Sequence, residues 1–152
     1  MPSILRTILV SSILICAMHP AQAAFKLIYE VLGVYDFANM GTSFHCSNVT
    51  QNPVNVQVRV FGPSGAAAGT PLTRSVPAGG TVTVSTRLTL VFGEAGSLGT
   101  GSVSQGRARI FTEVPTAILC AADWVEADSI TPAFVAPRRM IRYPRGTSGG
   151  ED

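Results

Sequence analysis

Between Val54 and Val60, valines at 54, 56, 58 and 60 alternate with Asn55, Gln57 and Arg59, the period-two pattern of a strand with one buried and one wet face. Phe61-Gly62-Pro63-Ser64-Gly65 then reads as a turn. After Pro77-Ala78-Gly79-Gly80, Val82, Val84, Leu88 and Leu90 share one parity and Thr81, Thr83, Ser85, Arg87 and Thr89 the other. A second half-buried strand is therefore expected there. Arg107 to Val114 alternates more weakly, with Ala108 and Ile110 inward and Arg107, Arg109 and Glu113 outward, until Pro115 interrupts it. Ile118, Cys120, Ala122 and Trp124 share a parity in the next segment. Phe44 and Cys46 do the same earlier, so both cysteines face inward and His45 faces out.

Phe25 to Phe37 fits either period: Phe25, Ile28, Tyr29 and Leu32 lie on one helical face, while Phe25, Leu27, Tyr29 and Val31 lie on one strand face. An edge strand is the preferred reading. Gly93 to Gly106, rich in Gly and Ser, reads as a long mobile connector. From Thr131 to Asp152 periodicity is lost among prolines, glycines and four arginines, and this end is expected to be flexible and dispensable for folding. Short strands, Gly/Pro turns and no convincing helix predict an all-β fold: an antiparallel immunoglobulin-like β-sandwich with one disulfide and a flexible C-terminal tail. The only tryptophan, Trp124, follows the second cysteine instead of lying between the two, so immunoglobulin family membership does not follow.

The first residues change the picture. Arg6, the apolar run Thr7 to Met18 and the small-x-small site Ala21-Gln22-Ala23 have the form of a cleaved export signal. The apolar run is about half the roughly twenty residues a membrane span needs, and no other stretch of the chain is long and apolar enough. Cys16 lacks the small residue that normally precedes a lipid-modified cysteine. The expected organisation is a signal peptide over residues 1–23, a β-sandwich over 24–130 and an Arg/Pro/Gly-rich tail over 131–152, in the periplasm or secreted. Cleavage leaves Cys46 and Cys120, an even pair that reads as a disulfide in an oxidising compartment. Closing such a loop contributes roughly 4 to 5 kcal/mol by chain entropy.

The motifs Phe44-His45-Cys46-Ser47-Asn48, Val56 to Gly62, Val82-Thr83-Val84-Ser85-Thr86, Gly106 to Thr112 and Ile118-Leu119-Cys120-Ala121-Ala122 together resemble uncharacterised small exported bacterial β-sandwich proteins with one disulfide. The resemblance covers about Thr42 to Ala122. It implies a disulfide-linked β-domain and a periplasmic or secreted setting, and carries no activity with it.

Candidate chemistry is sparse. His45 is the one histidine beyond the leader, and Cys46 beside it is assigned to the disulfide, so no nucleophile and base pair forms and no catalytic residue is expected. One histidine and two bonded cysteines do not make a zinc site. Asp123, Glu126 and Asp128 suit calcium in type but lack the spacing of a calcium-binding loop, and read as a solvated acidic turn. Gly96-Ser97-Leu98-Gly99-Thr100-Gly101 has no helix after it to make a phosphate loop. Asn48-Val49-Thr50 has the form of a glycosylation sequon and is read as a turn. No metal and no cofactor is expected.

Charge adds one positive hint. Beyond the leader, ten basic residues, Lys26 and nine arginines, stand against nine acidic ones, so no global argument for nucleic acid follows. Arg59, Arg87, Arg107 and Arg109 nevertheless fall on outward strand positions, and Arg138, Arg139, Arg142 and Arg145 follow in the tail. They are the candidate contacts for an anionic surface glycan, lipid headgroup or protein. The expected function is thus a non-catalytic exported binding or structural domain of unknown partner. Two alternatives stand beside it: a subunit of a cell-surface assembly that pairs through its N-terminal apolar strand, and an enzyme of an unrecognised kind.

Overall fold

The computed structural model describes residues 24–131 and 135–148; the leader falls outside them. Nine strands and no helix are found among the described residues: β1 Lys26–Asp36, β2 Met40–Asn48, β3 Val54–Phe61, β4 Ala67–Val76, β5 Thr81–Ser85, β6 Val103–Thr112, β7 Ile118–Glu126, β8 Val135–Pro137 and β9 Met140–Ser148. They form two antiparallel sheets packed against each other, a five-stranded one in the order β4-β3-β6-β1-β9 and a four-stranded one in the order β5-β2-β7-β8.

The alternating positions make the core. Val54, Val56, Val58 and Val60 of β3 are buried, as are Ala108 and Ile110 of β6 and Ile118 and Ala122 of β7, and they meet Val31 and Val34 of β1, Phe44 and Cys46 of β2 and Val84 of β5 between the sheets. Cys46 and Cys120 are bonded. They lie directly opposite one another on the neighbouring strands β2 and β7, with Cα atoms 4.2 Å apart. The bond therefore staples one sheet to itself, whereas the immunoglobulin disulfide joins the two sheets.

β1 departs from the expected edge strand. It lies between β6 and β9 and pairs with both. Its five consecutive buried residues, Leu27 to Val31, blurred the alternation from which an edge was read. A bulge between Leu27 and Tyr29 shifts the register there, so consecutive side chains are covered.

The strand expected to run to Leu90 ends at Ser85. Leu88 and Leu90 are 61% and 63% exposed. Hydroxyl groups draw the chain off the sheet: Thr86 Oγ1 donates to the Tyr35 carbonyl and accepts from Thr42 N, while Ser85 Oγ lies 2.9 Å from Ser43 Oγ. The segment that follows is pinned, not a mobile connector, through Ala95 N to Thr83 O, Leu98 N to Ser85 O and Thr70 N to Leu98 O. Gly69, at φ +76°, has no room for a Cβ against the Leu98 carbonyl, so this packing depends on glycine. Val103 to Gly106, expected in the connector, already belong to β6.

β4 had no counterpart in the sequence reading. Its Ala-Ala-Gly-Thr-Pro start does not alternate, and such a run is accommodated at a sheet edge, where the irregular register between Val58 and Val60 passes over Gly69 to Pro71.

The end of the chain is the largest correction. Residues 131–152 were expected to be a flexible tail, yet β8 pairs with β7 in one sheet and β9 pairs with β1 in the other. Met140 packs on the core, and Arg138 lies over the Trp124 ring at 3.7 Å. The prolines were the source of the misreading: Pro137 closes a short edge strand and Pro144 lies in the register gap between Arg142 and Thr147, where neither breaks an interior ladder.

Truncation after Asp128 removes a partner from both β1 and β7. The melting temperature, followed by circular dichroism, should fall by roughly 10 °C or more, corresponding to the loss of a few kcal/mol; an unchanged melt would contradict this role. Cys46→Ala with Cys120→Ala should lower unfolding stability in urea by roughly 2 to 5 kcal/mol.

Candidate functional site

Alternation on the five-stranded sheet buries one face and leaves the other to solvent, and the registers set which outward side chains meet. Arg59 of β3 stands opposite Arg109 of β6, and Arg109 stands opposite Glu30 of β1. In the next row Phe61, Arg107 and Leu32 are aligned; in the row on the other side Gln57 faces Phe111. Three arginines, two phenylalanines and one carboxylate thus share the middle of this face.

Glu30 organises the cluster. Its side chain is mostly buried, and its Oε1 accepts from Arg107 Nη1 at 3.0 Å and lies 3.7 Å from Arg109 Nε. Its Oε2 accepts from the Tyr143 hydroxyl of β9 at 2.8 Å. That hydrogen bond to the carboxylate raises the Tyr143 pKa above its ordinary value. The phenyl rings hold the guanidinium groups: Arg59 lies over Phe111 at 4.8 Å, and Arg107 and Arg109 lie over Phe61 at 5.3 and 5.4 Å. Arg59 Nε also donates to Gln57 Oε1 at 2.7 Å. Like charges directly opposite in a sheet are destabilising, by a few tenths of a kcal/mol up to about 1 kcal/mol. The Arg59–Arg109 pair is tolerated because each cation rests on a ring and Glu30 neutralises one of them.

An open groove of about 440 Å³ adjoins this cluster, lined by Leu32, Arg107, Gln105, Ser64 and the backbone of Gly62, Gly65 and Gly106. A Cβ at Gly106, which shares the buried parity of Ala108 and Ile110, would lie 2.8 Å from the Phe61 carbonyl oxygen and 2.6 Å from Val103 Cγ1, so this position has no room for a side chain.

Of the eight arginines singled out, the structure brings together Arg59, Arg107 and Arg109. Arg87 lies in the segment after β5, not on a strand, and its Nε binds buried Asp36 at 2.8 Å, a carboxylate that also accepts from Thr100 Oγ1. Arg138 covers Trp124 and Arg142 lies 5.6 Å from the Tyr29 ring centre. Arg139 is exposed and its carbonyl accepts from Leu32 N; the Arg145 side chain falls outside the described set. Sequence reasoning missed Glu30, Phe61, Phe111 and Tyr143. The outward parity that Phe61 shares with Arg59, and Phe111 with Arg109, was the available signal for two of them.

The opposite face of the molecule holds His45. It points outward from β2 as expected, yet the imidazole is half buried, lying edge to face with Phe92 at 4.6 Å. Its Nδ1 lies 2.9 Å from Thr83 Oγ1 and its Nε2 3.5 Å from Asp123 Oδ2. Asp123 therefore belongs to this cluster, while Glu126 sits at the far end of β7 opposite Met40. Burial outweighs the attraction of Asp123 and Glu94 and holds the His45 pKa below its ordinary value. Asn48 is 1% exposed; its Nδ2 donates to the Asn52 and Val76 carbonyls and its Oδ1 accepts from Thr50, so the sequon serves as a turn. Gly96 and Leu98 bond to Ser85 along the edge of β5, which is what the glycine-rich motif does here.

Comparison with protein-family models, curated proteins and solved structures found no match to this chain.

His45 generates a pH prediction. Because the folded state binds the imidazole proton less readily than the unfolded chain, its contribution is fully present above about pH 6.5 and is lost as pH falls through the lower folded value. The melting temperature of the wild type should therefore drop more steeply between pH 7 and pH 5 than that of His45→Gln. Parallel curves for the two proteins would show that His45 does not titrate against the fold.

Proposed function

We propose that this chain is an exported, non-catalytic binding domain whose outward five-stranded-sheet face receives an anionic partner. The observation that carries the reading is the arginine row itself. Arg59 and Arg109 stand opposite one another at a cost to the sheet, each propped on a phenyl ring, with Arg107 beside them. Guanidinium groups already held against rings have less side-chain entropy to lose when an oxyanion approaches them. The leader-like start of the sequence and the Cys46–Cys120 bond both suit an oxidising, extracytoplasmic setting.

The assembly alternative is less favoured by the register. β1, the strand that was to pair with a neighbour, already has β6 on one edge and β9 on the other, so its addition to another subunit would require displacing β9.

The test uses the leaderless protein on an immobilised polyanion. Arg59→Gln should leave the protein folded, because relief of the Arg59–Arg109 repulsion offsets part of the loss of its ring contact and its other side-chain interactions. The same substitution combined with Arg109→Gln should lower the salt concentration needed for elution, since exposed charge contacts are screened over about a Debye length. Unchanged elution with a folded double variant would remove this face from consideration.

A further inference from the structure

The segment after β5 is built inside out. Thr86 and Thr89 are buried, while Leu88 and Leu90 stand 61% and 63% exposed. Polar contacts hold that arrangement: Arg87 Nε donates to Asp36 Oδ1 at 2.8 Å, Thr89 donates from N and from Oγ1 to Glu94 Oε1 at 2.9 and 2.6 Å, and Leu90 N donates to the Ala127 carbonyl at 2.9 Å. The hydrophobic effect alone would turn both leucines inward. Two more apolar side chains stand at the same end of the sandwich. Ala127 N donates to the Asn39 carbonyl, which joins the β1–β2 turn, where Phe37 is half exposed, to the segment after β7, where Ile130 is 76% exposed. Among the described residues, Leu88, Leu90 and Ile130 are the three most exposed large apolar side chains, and with Phe37 they come from three separate loops.

We infer that this end of the sandwich dips into the interface of a zwitterionic lipid bilayer and holds the domain at a membrane surface through Phe37, Leu88, Leu90 and Ile130. Area decides against a second copy of the chain. The four residues together expose on the order of 400 Å², about half of what each partner gives to a stable protein–protein interface. Acyl chains set no such threshold: side chains that protrude singly from different loops enter a fluid phase without a matching surface, and binding grows with the apolar area buried. Charge selects the lipid. Arg87 is engaged by buried Asp36, whose other carboxylate oxygen accepts from Thr100 Oγ1, whereas Asp128 is exposed two residues before Ile130 and Glu126 ends β7. Anionic headgroups would repel those carboxylates, so a neutral headgroup is the better surface. The arginine cluster, on the outer face of the larger sheet, takes no part.

The test floats the protein from Ala24 onward, which holds all nine strands, with vesicles of phosphatidylcholine or of phosphatidylglycerol at low and high salt. Partition onto phosphatidylcholine, insensitive to salt and stronger than onto phosphatidylglycerol, is expected. Leu88→Ser with Leu90→Ser should weaken it at least tenfold with an unchanged or raised melting temperature, since exposed side chains add little to the core. Leu88→Trp should give an emission that moves to the blue on adding vesicles and is quenched by brominated acyl chains, with the unsubstituted protein, whose only tryptophan is Trp124, as the reference. Dimers that the double serine variant abolishes, with no partition, would overturn the lipid in favour of a second copy. Binding to phosphatidylglycerol alone, lost in Arg59→Gln with Arg109→Gln and kept in the serine variant, would overturn the inference and assign the membrane to the arginine face. Neither partition nor self-association would overturn the apolar end as an interaction surface.

Discussion

The structure depends on a strand that must be hydrogen-bonded along both edges. β1 is an interior strand of the larger sheet, next to its β9 edge, where unpaired backbone N–H and C=O groups would each carry a penalty comparable to a lost hydrogen bond. β6 satisfies one edge and β9, from the far end of the chain, satisfies the other. Once β1 is fixed in that position, Val31 and Val34 enter the core, Glu30 emerges on the opposite face between Arg107 and Tyr143, and the arginine row acquires its counter-ion. The candidate site is thus a product of the same register that closes the fold.

Register also explains why the two faces of the molecule differ. On a strand a slip of one residue exchanges the buried and exposed sets, and the core valines of β3 leave no freedom for such a slip. Arg59 and Phe61 are consequently outward because Val58 and Val60 are inward. In the smaller sheet the Cys46–Cys120 bond fixes β2 against β7, which holds His45 and Asp123 on the outer side beneath Phe92. The chemistry-bearing residues occupy positions left to them by the hydrophobic ones.

What was legible in the sequence follows from how local each determinant is. Val54 to Val60 could be read because its alternation is complete within seven residues and no partner need be known. The half-cystines could be read from parity and number, though not that they would join neighbours in one sheet. β4 was invisible because an edge strand buries little, and its Gly69 and Pro71 mimic a loop. β8 and β9 were missed because what orders them is the unpaired edge of β7 and of β1, more than a hundred residues away for the latter. At the site, three arginine positions came from parity alone, whereas Glu30 and Tyr143 needed the pairing of strands from opposite ends of the chain.

The pairing of Lys26 with Ser148 sets an order of events for a newly made chain. Of the strands described, β1 comes first in the chain, and one of its edges remains unpaired until β9, the last of them, arrives. The larger sheet cannot close before β9 is present, and its β1–β9 contacts span more than a hundred residues, which is the condition for slow folding. As the chain emerges from its N-terminal side, the larger sheet therefore stays open at β1 until β9 is available to close it.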